Sequence, residues 1–226
     1  LDMASNNAKT NLLQKFEVME RQNETTEESM RQLAQKLRIP GLSRIEIFDN
    51  SHISGAFTVA GMVVFEDGLP CKNDYRLFKL HTENSDVDSM KEVLYRRYFR
   101  LLNEGGRFPD LLLVDGGLTQ IEAAKEILGS LDLDIPICGL VKNDKHQTSS
   151  LMNERLEIVD VEPGSPLFFL LTRMQDEVHR FAISYHRKLR QKAQTKSILD
   201  EIDGVGEVRK KKLMSTFKSF KRLKEA

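Results

Sequence analysis

The feature that most constrains this chain is a change of hydrophobic period near its middle. Between Arg44 and Leu80 three segments read as strands. Arg44–Asn50 (RIEIFDN) alternates, Phe57–Phe65 (FTVAGMVVF) is rich in β-branched and apolar residues, and Tyr75–Leu80 (YRLFKL) alternates again. The links between them are short and turn-rich, with Ser54-Gly55 in the first and Asp67-Gly68 and Pro70 in the second. An antiparallel three-stranded meander is predicted. After Leu80 the pattern changes. Asp86–Leu102 has helical spacing, Leu111–Val114 (LLLV) is apolar throughout, Thr119–Leu128 is helical, and Ile135–Val141 is apolar again. Strands without a polar face are covered on both sides, and a strand-helix-strand succession joins them in parallel.

The flanks are helical. Residues from Asn7 to Leu37 lack Gly and Pro and carry Leu12, Leu13, Phe16, Met19, Met30, Leu33 and Leu37 at roughly helical spacing, up to a stop at Pro40-Gly41. One long helix or two shorter ones fit this stretch. A hairpin is expected around Met152–Val159, with Asn153-Glu154 near its turn. After Pro163-Gly164 a long helix is expected over Ser165–Lys192, with Leu167, Leu170, Leu171, Met174, Val178, Phe181 and Ala182 on one face. Three domains follow: a helical linker at 1–42 packing on the body, a body at 43–194, and a small all-α tail at 195–226. The fold class is α/β, with an α+β mixed sheet of three antiparallel strands followed by two parallel ones. That strand order is the one the ribonuclease H-like fold uses.

Composition supports a globular enzyme-sized body. With 226 residues, 40% hydrophobic and 30% charged, the chain has material for one sizeable core. No apolar run approaches the roughly 18 residues of a membrane span. The two cysteines, Cys71 and Cys138, have no CxxC spacing and indicate neither zinc nor a disulfide framework, which fits a cytoplasmic location. The zero net charge hides an asymmetry: from Arg180 to Ala226 there are 14 Lys and Arg against 5 Asp and Glu. A basic tail on an acidic body fits a phosphate-binding appendage, and it equally fits a solvated lysine-rich helix.

Two acids end strands. Asp49 follows Ile45-Glu46-Ile47-Phe48, and Asp115 follows LLLV and precedes Gly116-Gly117. If the first and fourth strands are neighbours, both carboxylates meet at one sheet edge, where their repulsion calls for a divalent cation. Oxygen ligands of this kind select Mg²⁺ or Mn²⁺ over zinc. Taken singly, Asp49 also fits an Asx turn with Asn50 and Ser51, and Asp115 also fits a helix cap. His179 on the long helix is a third candidate, as metal ligand or proton-transfer group, with surface packing as its alternative. In the tail, LDEIDGVGEVRKKKL fits helix, Gly204-Val205-Gly206 turn, helix, around a small core of Ile202, Val205, Val208 and Leu213. The amides of such a turn can hold a phosphate, with Arg209, Lys210, Lys211 and Lys212 beside it. Lys142, Arg96 and Arg97 fit phosphate contacts or solvated surface charges equally well.

The segments FDNSHISGAFTVAGMVVFEDG, YRLFK, RRY, LLLVDGGLTQIEAA, RMQDEVHRFAISYHRK and IDGVGEVRKKKL, in this order and at about this spacing, resemble the C-terminal half of the UvrC family. The resemblance spans essentially the whole chain. It implies a ribonuclease H-like endonuclease that makes the 5′ incision beside a damaged base in bacterial nucleotide excision repair. It implies a catalytic triad of Asp49, Asp115 and His179 binding Mg²⁺ or Mn²⁺, and an accessory acid at Asp86 or its neighbour Asp88. The tail is similar to the first of two helix-hairpin-helix motifs that bind DNA with unpaired regions. Partners implied are damaged DNA, UvrB through a segment outside these residues, and UvrA indirectly. The family's GIY-YIG nuclease and UvrB-binding segment are expected upstream, and a second hairpin motif downstream. Two rival readings of the residues remain: a DNA-binding scaffold with an inactive ribonuclease H-like site, and a nucleotide-binding α/β enzyme. The second lacks GxxxxGK[ST] and leaves the tail unexplained.

Overall fold

The computed structural model describes residues 21–51, 59–80, 85–142, 148–200, 206–217 and 222–223. The helix expected before residue 21, the turn at Ser54-Gly55 and Gly204-Val205 lie outside the described residues. The chain divides into two compact units, Leu1–Ala182 and Ile183–Ala226.

In the first unit helix α1 (21–37) leads into strand β1 (Arg44–Ser51). Strands β2 (Val59–Glu66), β3 (Leu69–Pro70) and β4 (Arg76–Lys79) follow, with a short 3₁₀ turn at Lys72–Asp74. Helix α2 (Asp86–Glu104), strand β5 (Leu111–Val114), helix α3 (Leu118–Ser130) and strand β6 (Ile137–Lys142) come next. The hairpin β7 (Thr148–Asn153) and β8 (Ile158–Val159) precedes the long helix α4 (Pro166–Asp200). The strands form one mixed sheet in the order β3-β2-β1-β5-β6-β7-β8, with β4 also on β2. β1 and β2 are antiparallel, as are β2 and β4, so the meander stands. β1, β5 and β6 run parallel, which places the first strand beside the strand that ends at Asp115.

Two cores sandwich this sheet, and the period-2 geometry of the strands assigns each side chain to one of them. Ile45 and Ile47 of β1, with Leu111 and Leu113 of β5, face α1 and α4, where they meet Leu33, Leu167, Leu171, Met174 and Val178. Phe48 of β1, with Leu112 and Val114 of β5, faces α2 and α3, against Met90, Leu94, Tyr98, Ile121 and Leu128. Each such side chain, fully buried, contributes roughly 1.5–3 kcal/mol of transfer free energy. Helix ends are closed locally. Ser85 caps α2, its Oγ accepting the Asp88 N–H, and Gly105 ends α2 in the left-handed region at φ 71°. Ser165 Oγ accepts the Phe168 N–H at the start of α4, where Pro166 sits at the first helical position.

The structure departs from the sequence expectation in two elements. β7 extends the sheet by pairing antiparallel with β6 as well as with β8. α4 continues to Asp200, past the expected end at Lys192, so the boundary expected at 194 falls inside one helix. In the second unit α5 (Glu207–Phe217) is helical. Val208, expected in a small hairpin core, is 83% exposed; no described element covers it.

Candidate metal centre

The sheet register builds the site. Phe48 of β1 lies level with Val114 of β5, and the Asp115 N–H donates to the Phe48 carbonyl at 2.9 Å. The next residue of each strand is therefore an acid, and the two acids are neighbours. By strand parity Asp49 falls on the side of Ile45 and Ile47, and Asp115 on the side of Leu111 and Leu113. Both thus point toward α4, the helix that carries His179.

His179 closes the cluster. Its Nε2 lies 2.9 Å from Asp115 Oδ2 and 3.3 Å from Asp49 Oδ2. The carboxylates are buried, with side chains 8% and 2% exposed, while the imidazole is 45% exposed. The site is therefore closed on the sheet side and open past the histidine. Ligand atoms of the three residues lie within 4.8 Å of one another. Two carboxylates carry more negative charge than one imidazole can offset, and a donor set of two oxygens and one nitrogen is one that can hold a divalent cation. The residues present fit a divalent cation.

Sequence reasoning missed one member of this cluster. Gln175, one helical turn before His179, is 6% exposed and donates from Nε2 to Asp115 Oδ1 at 2.6 Å. Its spacing of four from His179 was the available signal. The loop after β5 is seated by close contact. A Cβ at Gly139 of β6 would come within 2.2 Å of the Gly116 carbonyl oxygen, so only glycine admits this path.

The other candidates are dispersed. Asp86 is exposed at the start of α2 and is not a member of the three-residue group. Its carbonyl accepts from Asn50 Nδ2, which ties the head of α2 to the residue beside Asp49. Asp88 is engaged in capping: its carboxylate accepts the Ser85 hydroxyl at 2.7 Å. Arg97 is turned inward, where it donates twice to the fully buried Glu46, and its side chain is 12% exposed. Tyr98 donates to the same carboxylate. Burying Glu46 on β1 demands this pairing, so Arg97 is neither the phosphate contact nor the solvated surface charge that its sequence left open. Arg96 is half-exposed and donates to the Lys79 carbonyl and to Glu92, with its guanidinium over the Phe78 ring. Gly206, Arg209 and Lys211 are exposed in the second unit. Gly204 and the side chains of Lys142 and Lys210 lie outside the described residues.

A family model described as the UvrC RNAse H endonuclease domain matches residues 34–183. Among solved structures the chain is similar to human endonuclease V, at 15% identity and a TM-score of 0.38, over 70% of this chain and 90% of that one. It is also similar to an endonuclease V of Ciona intestinalis in complex with DNA containing an inosine, at 14% identity and a TM-score of 0.35, over 58% of this chain and 59% of that one. These structural likenesses are too distant to carry the assignment, which rests on the family model.

Proposed function

Because the chain belongs to the UvrC family through its ribonuclease H endonuclease domain, we propose that it makes the 5′ incision beside a lesion in bacterial nucleotide excision repair, in the cytoplasm. The observation that supports this reading is the convergence of Asp49, Asp115 and His179 at one end of the sheet. In it, the three residues hold Mg²⁺ or Mn²⁺. The cation would supply charge neutralisation at a scissile phosphate and Lewis acidity toward the attacking water.

The chain's own residues have separate tasks. Asp49 and Asp115 present an anionic floor that a DNA phosphate approaches only when a cation screens it. Their burial holds them still. His179 lies at the open side of the cluster, where its ring can ligate the ion or exchange a proton with the phosphate or leaving group. Asp86 is the accessory acid in this proposal, because Asp88 is spent on the α2 cap. In the tail, Arg209 and Lys211, with Lys210 and the Gly204–Gly206 turn, grip the DNA backbone without reading sequence. The half-exposed Arg96, and Lys142 at the end of β6, serve as further phosphate contacts. Lesion choice comes from partners, UvrB through a segment outside these residues and UvrA indirectly. Among the described residues no helix is long and apolar enough to cross a membrane.

The test is a duplex carrying one bulky adduct and a labelled strand, incubated with the protein, UvrA, UvrB and Mg²⁺. A cut on the 5′ side of the adduct that is lost in Asp115→Ala is expected. Binding without any 5′ cut would overturn the proposal in favour of a non-catalytic scaffold.

A further inference from the structure

Gln175 breaks the apolar row of α4. Its neighbours in that row, Leu171, Met174, Val178 and Ala182, are fully buried and apolar, and Gln175 is buried with them. A polar side chain in such a place is destabilising unless its hydrogen bonds are made. Here the amide meets a carboxyl group: Nε2 donates to Asp115 Oδ1 at 2.6 Å.

The two oxygens of Asp115 are thereby divided. Oδ1 accepts from Gln175, and Oδ2 lies 2.9 Å from His179 Nε2, on the side of Asp49. The backbone at Asp115 is already fixed by its N–H on Phe48 and by the seat of Gly116 on Gly139. What the backbone leaves open is the rotation of the carboxylate, and that rotation decides which oxygen faces the cluster. The helix supplies the answer with one turn of spacing, since residues 175 and 179 share a face and grip the same carboxylate.

The chemistry of the donor matters as much as its place. An amide donates while leaving the site anionic. We propose that Gln175 is a positioning residue of the metal centre: a neutral donor that locks Asp115 with Oδ2 presented to the ion. The inference rests on the metal-centre reading above and adds a residue to it.

Mn²⁺ binding to the whole protein, followed by electron paramagnetic resonance of the free ion, separates the possibilities. The variants are Gln175→Met, which keeps volume and removes the donor, and Gln175→Asn, which keeps the amide but falls one methylene short. Loss of an outer partner of a metal ligand weakens metal affinity by about 10- to 100-fold. Both variants are expected to show that loss, with a lower kcat, an unchanged KM for DNA, and a metal-free unfolding temperature close to wild type. Mn²⁺ affinity within about twofold of wild type in both variants would overturn the inference while leaving the metal centre standing. A lowered metal-free unfolding temperature with unchanged affinity would likewise overturn it, marking Gln175 as a packing residue only. Wild-type binding that is absent, or that survives Asp49→Ala, would overturn the metal centre itself and this inference with it.

Discussion

Replacing Gly139 by alanine perturbs the site from behind, without touching any group that meets metal or DNA. Gly139 lies in β6, level with Val114 of β5 and Met152 of β7, so its strand is held on both sides. A Cβ there would sit 2.2 Å from the Gly116 carbonyl oxygen and 3.0 Å from Ile121 Cδ1. Real Cβ contacts essentially never fall under 3.0 Å, so the Gly116 carbonyl must retreat by at least 0.8 Å. The obstacle is backbone, one residue beyond Asp115, and cannot swing aside as a side chain would. Overpacking of this kind costs about 1–3 kcal/mol in stability. A displacement approaching 1 Å at a catalytic group costs up to about 10²-fold in rate. Gly139→Ala is therefore expected to lose about 1–3 kcal/mol in urea unfolding and one to two orders of magnitude in Mn²⁺-dependent DNA cleavage. Gly129→Ala is the control, since nothing lies within 4 Å of its Cβ and its place in α3 favours alanine by about 0.5–1 kcal/mol. Gly139→Ala with wild-type stability and wild-type cleavage would refute the claim that this contact seats Asp115.

Other outcomes follow from buried charge and burial. Arg97→Ala strips the fully buried Glu46 of its principal cation and is expected to destabilise the protein by about 3–5 kcal/mol in urea unfolding; Glu46→Gln combined with Arg97→Met should recover most of that loss. Burial pushes the Cys138 thiol up to about 12, so it should ignore Ellman's reagent at about pH 8 in the native protein and react only after denaturation. Because that raised value favours the neutral thiol, its stabilising contribution is full below the unfolded thiol's range and fades as pH rises toward 12. The Arg44 guanidinium, 2.8 Å away, holds the Asp74 carboxyl below its ordinary range. The stability this lends is present above the ordinary carboxylate range and lost as pH falls through the lowered value, so Asp74→Asn should flatten the acid limb of the urea midpoint below about pH 5.

The central sheet was legible because its residues obey simple periods. The alternation of Ile45, Ile47 and Asp49 already fixes which way the acid points once β1 is known to pair with β5. The parallel pairing of β5 with β6 came from the strand-helix-strand succession of apolar runs, whereas the pairing of β1 with β5 entered only as a condition. What stayed hidden depends on tertiary partners. Thr148–Asn153 (TSSLMN) carries too little apolar pattern to announce a sheet strand, and it becomes one because β6 offers an open edge. Arg97 looks like a surface cation until Glu46, in the alternate row of β1, is seen to be wholly buried and in need of it. Gln175 is unremarkable in a helical sequence; only the fold reveals that its apolar row passes over Asp115. The choice between Asp86 and Asp88 is undecidable from spacing, but the Ser85 cap engages Asp88. For the tail, helical α5 was legible in EVRKKKLMSTF, whereas a hairpin core including Val208 was not found among the described residues.

The most direct measurement is nicking of supercoiled plasmid by the protein in Mn²⁺, with and without chelator, for wild type and for Asp49→Ala, Asp115→Ala and His179→Ala. The expected result is metal-dependent nicking by wild type that falls by at least about two orders of magnitude in each variant, with folded structure retained by circular dichroism. Nicking that persists in all three folded variants, or in wild type after chelation, would contradict a metal centre built on these residues.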